Sequence, residues 1–141
     1  MNSGLECYRG VVYPWHCDQF DHMNVMHYVG MFDQGTLHLL AAAGWSQGAD
    51  NFGVSFADVK HVVEYKSELR AGALVTIEGA VRRIGTKSVT FVEWMKRAHS
   101  DEMAAIAEIT CVCLDQVQRR SVAIPGKVRT GLQSLVEAGP E

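Results

Sequence analysis

One segment of this 141-residue chain reads as a long helix, and no second segment matches it. From Val25 to Ala43 a stripe of Val25, Val29, Phe32, Thr36, Leu39, Leu40 and Ala43 recurs at steps of three and four, the helical period. His27, Gln34 and His38 fall on the other side, and Gly44 stands where a helix-terminating glycine belongs. Strand-like runs flank this helix. Cys7–Cys17 precedes it, with Pro14 marking an edge or a strand end. After the polar loop Trp45–Gly53 come Val54–Phe56 and Val59–Tyr65, then Leu74–Val81, Lys87–Lys96 and Met103–Leu114, rich in β-branched and aromatic residues. The last three are joined around Gly85 and around His99-Ser-Asp-Glu, connections that suit antiparallel hairpins. Ile124-Pro125 closes the last sheet segment, and a short amphipathic helix is expected over Lys127–Ala138.

One long helix can cover one face of one sheet, so the expected class is α+β with an antiparallel sheet. Leu74–Val81 and Met103–Leu114 are apolar on both faces: Val75, Ile77 and Val81 share one, while Leu74 and Ala80 take the other. The second face calls for a partner sheet or subunit. The length fits a single domain over residues 1–141, and 48% hydrophobic residues suffice for a sizeable core. A net charge of −3 gives no basic footprint for nucleic acid. No apolar run is long enough for a bilayer, and Met-Asn-Ser-Gly-Leu-Glu lacks the features of a signal peptide, so no membrane partner and a cytoplasmic location are expected. Cys7, Cys17, Cys111 and Cys113 form no CxxC pair and read as reduced, mostly buried thiols. Cys111 and Cys113, two apart in a strand, point the same way.

The chemistry concentrates in Asp18-Gln-Phe-Asp-His-Met-Asn-Val-Met-His-Tyr28, between the first strand and the long helix. A carboxylate, an imidazole and an amide gather where a helix presents unpaired N–H groups. Such a junction can activate a nucleophile and polarise a carbonyl at one place. Asp18 by itself would also serve as a turn residue, and Asn24 as an N-cap. His16, Cys17, Asp18, His22 and His27 are all metal-ligating types. Their spacing matches no standard zinc pattern, CxxC and HExxH are absent, and no metal is expected.

The segment resembles the active-site signature of hotdog-fold acyl-CoA thioesterases of the 4-hydroxybenzoyl-CoA thioesterase type. In that family a strand ends in an Asp, and a His-Val-Asn-Asn-like stretch four residues on opens the central helix, followed by a Tyr; here these are Asp18, His22, Met23, Asn24 and Tyr28. The resemblance spans about Tyr8 to Pro125 and includes Tyr65-x-x-x-Leu69-x-x-Gly72, with Gly72 at the turn. It departs at Asp21, where the family commonly has Gly; Asp tolerates left-handed backbone better than most residues.

The resemblance implies a hotdog fold, an antiparallel sheet wrapped around one central helix, assembled as a homodimer or homotetramer. It implies hydrolysis of an acyl-CoA to free acid and CoA, with coenzyme A as part of the substrate and no separate cofactor. Asp18 takes the part of base or nucleophile, with the backbone around His22 and Asn24 binding the thioester oxygen. Val25, Tyr28, Asp33 and His61 line the acyl site. Lys87, Ser88 and Arg120 hold the CoA phosphates, with Arg82, Arg83 and Arg119 nearby in sequence. Two other readings stand beside this one: a hotdog enoyl- or hydroxyacyl-CoA hydratase, and an acyl-CoA-binding protein without chemistry. Assays of free-thiol release separate them.

Overall fold

Asn24 opens the long helix by accepting the Met26 N–H on its side-chain Oδ1 at 2.9 Å, and Gly44, at φ +101°, ends it. The computed structural model describes residues 4–48 and 50–137. Within them the chain runs β1 (Leu5–Val11), a 3₁₀ turn (Pro14–His16), α1 (Val25–Ala42), β2 (Val54–Tyr65), β3 (Leu74–Ile84), β4 (Ser88–Arg97), β5 (Met103–Asp115) and α2 (Gly126–Gln133). The five strands make one antiparallel sheet in the spatial order β1-β3-β4-β5-β2. This is the α+β arrangement expected from one helix and a run of hairpins. No helix among the described residues is long and apolar enough to cross a membrane.

Three local expectations change. The first strand ends at Val11, because Pro14 starts a separate turn. Val54–Phe56 and Val59–Tyr65 are one strand, β2, with a bulge between Asp58 and Lys60 that breaks the alternation. The C-terminal helix is shorter than expected, covering Gly126–Gln133; Ala138 lies outside the described residues.

The buried face of α1 is Tyr28, Met31, Phe32, Gly35, Thr36, Leu39 and Leu40. Val25, expected in this stripe, is 55% exposed, and Val29 is half-buried. The face is turned toward Tyr28 and Met31, with Gly35 near its centre, where the missing side chain brings the helix close to the sheet. Over the other face of the sheet, Ala80, Val92 and Trp94 form a second small cluster with Met103 and Ile106 packed against it. The outer face is thus apolar in this patch, while the Lys96–Glu78 and Arg82–Glu108 pairs and the Thr90–Thr110 contact occupy it elsewhere, and Leu74, expected to join the apolar part, is exposed.

Beneath Gly35 lies a residue whose type, though not its place in the alternation of β4, assigns it to solvent. Glu93 of β4 is fully buried, flanked across the sheet by Gly79 on β3 and Ala107 on β5. A side chain on Gly35 would strike its carboxyl group and the Cys7 sulfur, and one on Gly79 would meet Leu39 and Cys7. The two glycines thus make the slot that holds Glu93. Thr36 Oγ1 is 2.5 Å from Glu93 Oε2 and 3.1 Å from the Phe32 carbonyl oxygen; Oε1 has no partner. A hydroxyl has one proton. When Thr36 donates it to Phe32, Glu93 must be protonated to complete the pair. Burial, reinforced by the charges of Asp58 and Asp33, pushes the Glu93 carboxyl up to about 8.

A carboxyl raised in the folded state stabilises fully below its ordinary ionisation near 4.5, and that contribution disappears as pH rises through about 8. Each pH unit between these points costs about 1.4 kcal/mol. Glu93→Gln, which keeps the neutral shape, should therefore melt close to wild type at pH 5 and well above it at pH 9. A gap between the two proteins that stays constant from pH 5 to 9 would count against a protonated buried carboxyl.

Candidate active site

The segment between β1 and α1 is pinned by its own backbone. Asn24 N–H donates to the His16 carbonyl at 2.9 Å, Met23 N–H to Leu69 at 2.7 Å and Asp18 N–H to His22 at 3.2 Å. Asp21 N–H closes a turn onto the Asp18 carbonyl at 3.0 Å, and Asp21 adopts φ +65°. The left-handed geometry that the Gly-to-Asp departure required is present. These bonds fold the segment back so that Asp18 sits against the start of α1.

There Asn24 acts twice. Its Oδ1 caps the helix, and its Nδ2 donates to Asp18 Oδ2 at 2.8 Å. Phe20 N–H donates to Asp18 Oδ1 at 2.9 Å. The Asn24 amide, then the Phe20 N–H and the nearby His22, hold the Asp18 carboxyl below the usual carboxylate range. Asp18 is thus ionised and oriented. The next N–H along, that of Val25, has no protein acceptor among the described residues, and it lies in the first turn, where the helix dipole favours negative charge. Sequence reasoning placed the helix N-terminus here; the Asn24–Asp18 bond and the Phe20 N–H were not legible in it.

His22 is oriented by its own backbone and the β2–β3 connection: Nδ1 lies 3.3 Å from the Met23 carbonyl oxygen, and Nε2 lies 3.9 Å from Glu68. Tyr28 is buried, donates its hydroxyl to the Ser67 carbonyl at 3.4 Å and meets Tyr65 edge-on at 5.0 Å. Between them a pocket of about 250 Å³ is lined by His22, Met23, Val25, Tyr28, Tyr65 and Ser67, with Lys66 and Glu68 at its rim. Tyr65, Ser67 and Glu68 join the site only through the fold. His16 packs edge-on to His27 at 4.7 Å; burial and that neighbour lower the His16 ionisation. Among the described residues no group of three or more His, Cys, Asp or Glu side chains is arranged to hold a metal ion.

Asp18, His22, Asn24, Val25 and Tyr28 therefore come together. The other residues singled out from the sequence lie elsewhere. Asp33 is eight residues beyond Val25, about 12 Å along the helix. It neighbours a separate polar group in which His61 Nε2 is 2.8 Å from Asp58 Oδ2 and Cys111 donates to Asp58 Oδ1 at 3.2 Å. Burial, then the Asp58 charge, raises the Asp33 carboxyl. Lys87, Ser88 and Arg120 cluster at the far end of the sheet: the Lys87 carbonyl accepts from Cys113, Ser88 pairs with Val112, and the Arg120 carbonyl accepts from Asp115. From Ala105, opposite Tyr65, to Asp115, opposite Val54, is ten residues, or about 34 Å of strand. Arg82 and Arg83 are engaged with Glu108 and Glu137 at 2.8–3.6 Å, which removes them from the group of free phosphate-binding cations.

Residues 12–132 match the thioesterase-like superfamily. The chain belongs to that superfamily. Its hotdog architecture recurs in solved structures: a Staphylococcus aureus protein solved in complex with CoA is 18% identical, with a TM-score of 0.86 over 100% of this chain and 93% of that one. A 1,4-dihydroxy-2-naphthoyl-CoA thioesterase from Synechocystis is 16% identical, with a TM-score of 0.79 over 91% and 95% of the two chains. Among sequences, the long-chain acyl-CoA thioesterase FadM of Escherichia coli is 22% identical over 87% of this chain and 93% of its own length. The thioesterase-like segment contains the Asp18–Tyr28 motif and the basic end alike.

In this thioesterase-like chain the Asn24 bridge is directly testable. Asn24→Asp keeps a capping oxygen but sets a second carboxylate against Asp18, so ionisation of Asp18 should move to higher pH, read as an upward shift of its carbon-13 carboxyl titration. Asn24→Ala should destabilise the protein by about 1 kcal/mol through loss of the cap. An Asp18 titration unmoved by Asn24→Asp would dissolve the link.

Proposed function

We propose that the protein hydrolyses an acyl-coenzyme A thioester to the free acid and CoA. The observation that carries this reading is the ionised Asp18 carboxylate bound by Asn24 beside the unpartnered Val25 N–H at the start of α1. The thioester oxygen accepts from that N–H, and developing negative charge is stabilised by the helix end. Asp18 then either takes a proton from water, whose oxygen attacks the carbonyl carbon as CoA leaves as its thiolate, or attacks that carbon itself, expelling the thiolate and forming a mixed anhydride that water then hydrolyses to the free acid and regenerated Asp18. The hydratase reading finds less support, since His22 Nδ1 lies against the Met23 carbonyl and Nε2 is nearest Glu68, so the imidazole is directed to those groups and not paired with Asp18. Superfamily membership and the acyl-CoA relative support the thioesterase reading.

The distance between the Asp18 loop and the Lys87–Arg120 end supports a second part of the proposal. A single protomer does not offer both to one CoA. β2 is an edge strand, with Val59, Val62 and Tyr65 exposed along it and Met26 and Leu37 exposed on α1. If β2 pairs antiparallel with its copy about a two-fold axis, the Val54 end of one strand lies beside the Tyr65 end of the other. That pairing sets Lys87 and Arg120 of one protomer beside Asp18 of the second. The proposed assembly is a homodimer with two composite sites, and its phosphate contacts weaken as salt rises.

Asp18→Asn should lower turnover about 100-fold or more, because loss of a general base alone is of that order; its amide nitrogen cannot accept one of the two N–H bonds, so the melting temperature should fall by the equivalent of about 1 kcal/mol while the protein stays folded. Asp33→Asn should lower it less. An Asp18→Asn enzyme of near wild-type activity beside an inactive Asp33→Asn enzyme would transfer catalysis to the helix carboxylate.

The composite site makes a separate demand. A Lys87→Ala, Arg120→Ala double variant should show a raised KM. Re-associated with Asp18→Asn protein, it should give mixed dimers that carry one intact site. Activity above the sum of the two separate proteins is the expected result; strict additivity after exchange would place both groups of residues in one protomer.

A further inference from the structure

We infer that Arg129 of α2 is a positioning residue for coenzyme A: it fixes the β3–β4 turn and so sets Lys87 and Ser88 for the nucleotide phosphates. The inference rests on the acyl-CoA reading above and deepens its phosphate end. Gly85, Thr86 and Lys87 join β3 to β4, and the Gly85 N–H closes this connection on the Ser88 carbonyl at 2.7 Å. Its three carbonyls then need donors from outside the turn. Lys87 accepts from the Cys113 N–H at 2.8 Å and Thr86 from the Ile124 N–H at 3.0 Å. The Gly85 carbonyl accepts from Arg129 Nη2 at 2.7 Å, and the same nitrogen lies 3.1 Å from the Thr86 carbonyl oxygen. Among the described residues this guanidinium is the only donor to Gly85.

Arg129 reaches the turn from a fixed backbone. Val128 and Leu132 of α2 are buried, and Gly131 approaches the Ala43 carbonyl at the end of α1 so closely that a side chain there would collide with it. The Arg129 side chain is half-buried between helix and turn. Ordering so long a side chain costs rotamer entropy, which two bonds from a cationic donor offset. Its charge meets no carboxylate. Lys87, Arg119, Arg120, Lys127 and Arg129 form no ion pair among the described residues, whereas Arg82 and Arg83 are held by Glu108 and Glu137. Unneutralised like charges repel, and a bound polyanion relieves that repulsion. The diphosphate and 3′-phosphate of CoA make such a polyanion.

Lys87 directly follows the two carbonyls that Arg129 holds. Ser88 keeps its hydroxyl beside Gly85, where a side chain would strike it. A turn released at Gly85 and Thr86 leaves both side chains without a common frame, and imprecise placement of charged donors weakens their hold on an anion. The loss falls on the nucleotide. The pantetheine arm and the reacting carbonyl, which belong to the Asp18 end, are left as they were. All these bonds lie within one protomer, so the turn keeps its geometry whichever copy supplies the Asp18 loop.

Calorimetric binding of CoA, and of pantetheine, which lacks the nucleotide, tests this on the whole protein whether or not a thioester is cleaved. Wild type should bind CoA more tightly than pantetheine. Arg129→Met should weaken CoA about tenfold or more and leave pantetheine within about twofold. In a Lys87→Ala background the same replacement should weaken CoA by about threefold or less, because its effect passes through the turn that carries Lys87. A purely structural Arg129 would lower the melting temperature and leave the ratio of the two affinities unmoved. Arg129→Lys keeps the stem and the charge but not the planar fork, and carries the test if Arg129→Met does not fold; it should weaken CoA by about threefold or more. Unchanged CoA affinity in either variant, or losses that add fully with Lys87→Ala, would overturn the inference. Wild-type protein that binds CoA no better than pantetheine overturns the CoA reading of this end together with it. A wild-type preference for CoA that survives Arg129→Met overturns this inference alone.

Discussion

Asn24 divides one side-chain amide between two structures. Its oxygen terminates α1 by accepting the Met26 N–H, and its nitrogen fixes the Asp18 carboxylate. A helix start and a charged side chain are thus set by one planar group, whose two ends cannot move independently. The backbone bonds from Asn24 to His16 and from Met23 to Leu69 hold that group over the β2–β3 connection. Without the bridge, the unpartnered Val25 N–H and the carboxylate would have no common frame, and proximity of this kind is a large component of catalysis.

The sheet imposes the second constraint. Because α1 packs over β1, β3 and β4, the inner face near β2 is only partly covered. The bulge at Val59 then has a consequence for chemistry as well as twist. Asp58 pairs with Cys111 and His61 with Ile109, both partners facing the core, so two residues three apart project to the same side. A regular strand would have sent one of them outward. The acid–imidazole pair therefore lies on the inner face of β2, the side of the sheet that α1 covers, and gives that region polar character.

The helix, the three long hairpin strands and the Asp18–Tyr28 motif were legible because each is carried by local periodicity or spacing. Gly72 at φ +96° and Asp21 at φ +65° follow from turn chemistry that can also be read from residue type. What stayed hidden is instructive in physical terms. Gly35 adds nothing to a hydrophobic pattern, yet its lack of a side chain is what lets Glu93 lie under the helix. Glu93 follows strand alternation onto the inner face, but a glutamate there reads as solvent-facing until Thr36 and the two glycines are seen around it. Lys87 and Arg120 were expected to hold the CoA phosphates because the resembling family carries a Lys-Ser after the hairpin and an Arg before the last Pro at these positions. Only strand register, which no local pattern carries, shows them to be at the opposite end of the sheet from Asp18.

The electrostatics of Asp18 narrow how such a site can work. Two neutral N–H donors hold the carboxylate ionised, which in the proposed reaction supplies the form Asp18 would need at neutral pH but makes it a weaker base than a desolvated carboxylate would be. Strong proton abstraction is therefore not where most of the acceleration can arise. The compensating terms in the proposed reaction are geometric and electrostatic: an oriented oxygen next to where the carbonyl would bind, and a helix end whose free N–H would strengthen its bond as charge builds on the thioester oxygen. Thioesters suit this division, because a thiolate leaves with less need of a proton than an alkoxide or an amine. A fixed weak base beside a strong carbonyl-polarising group is sufficient for that substrate and insufficient for harder acyl bonds. On the proposed mechanism, the arrangement at the start of α1 thus restricts the reaction as well as promoting it.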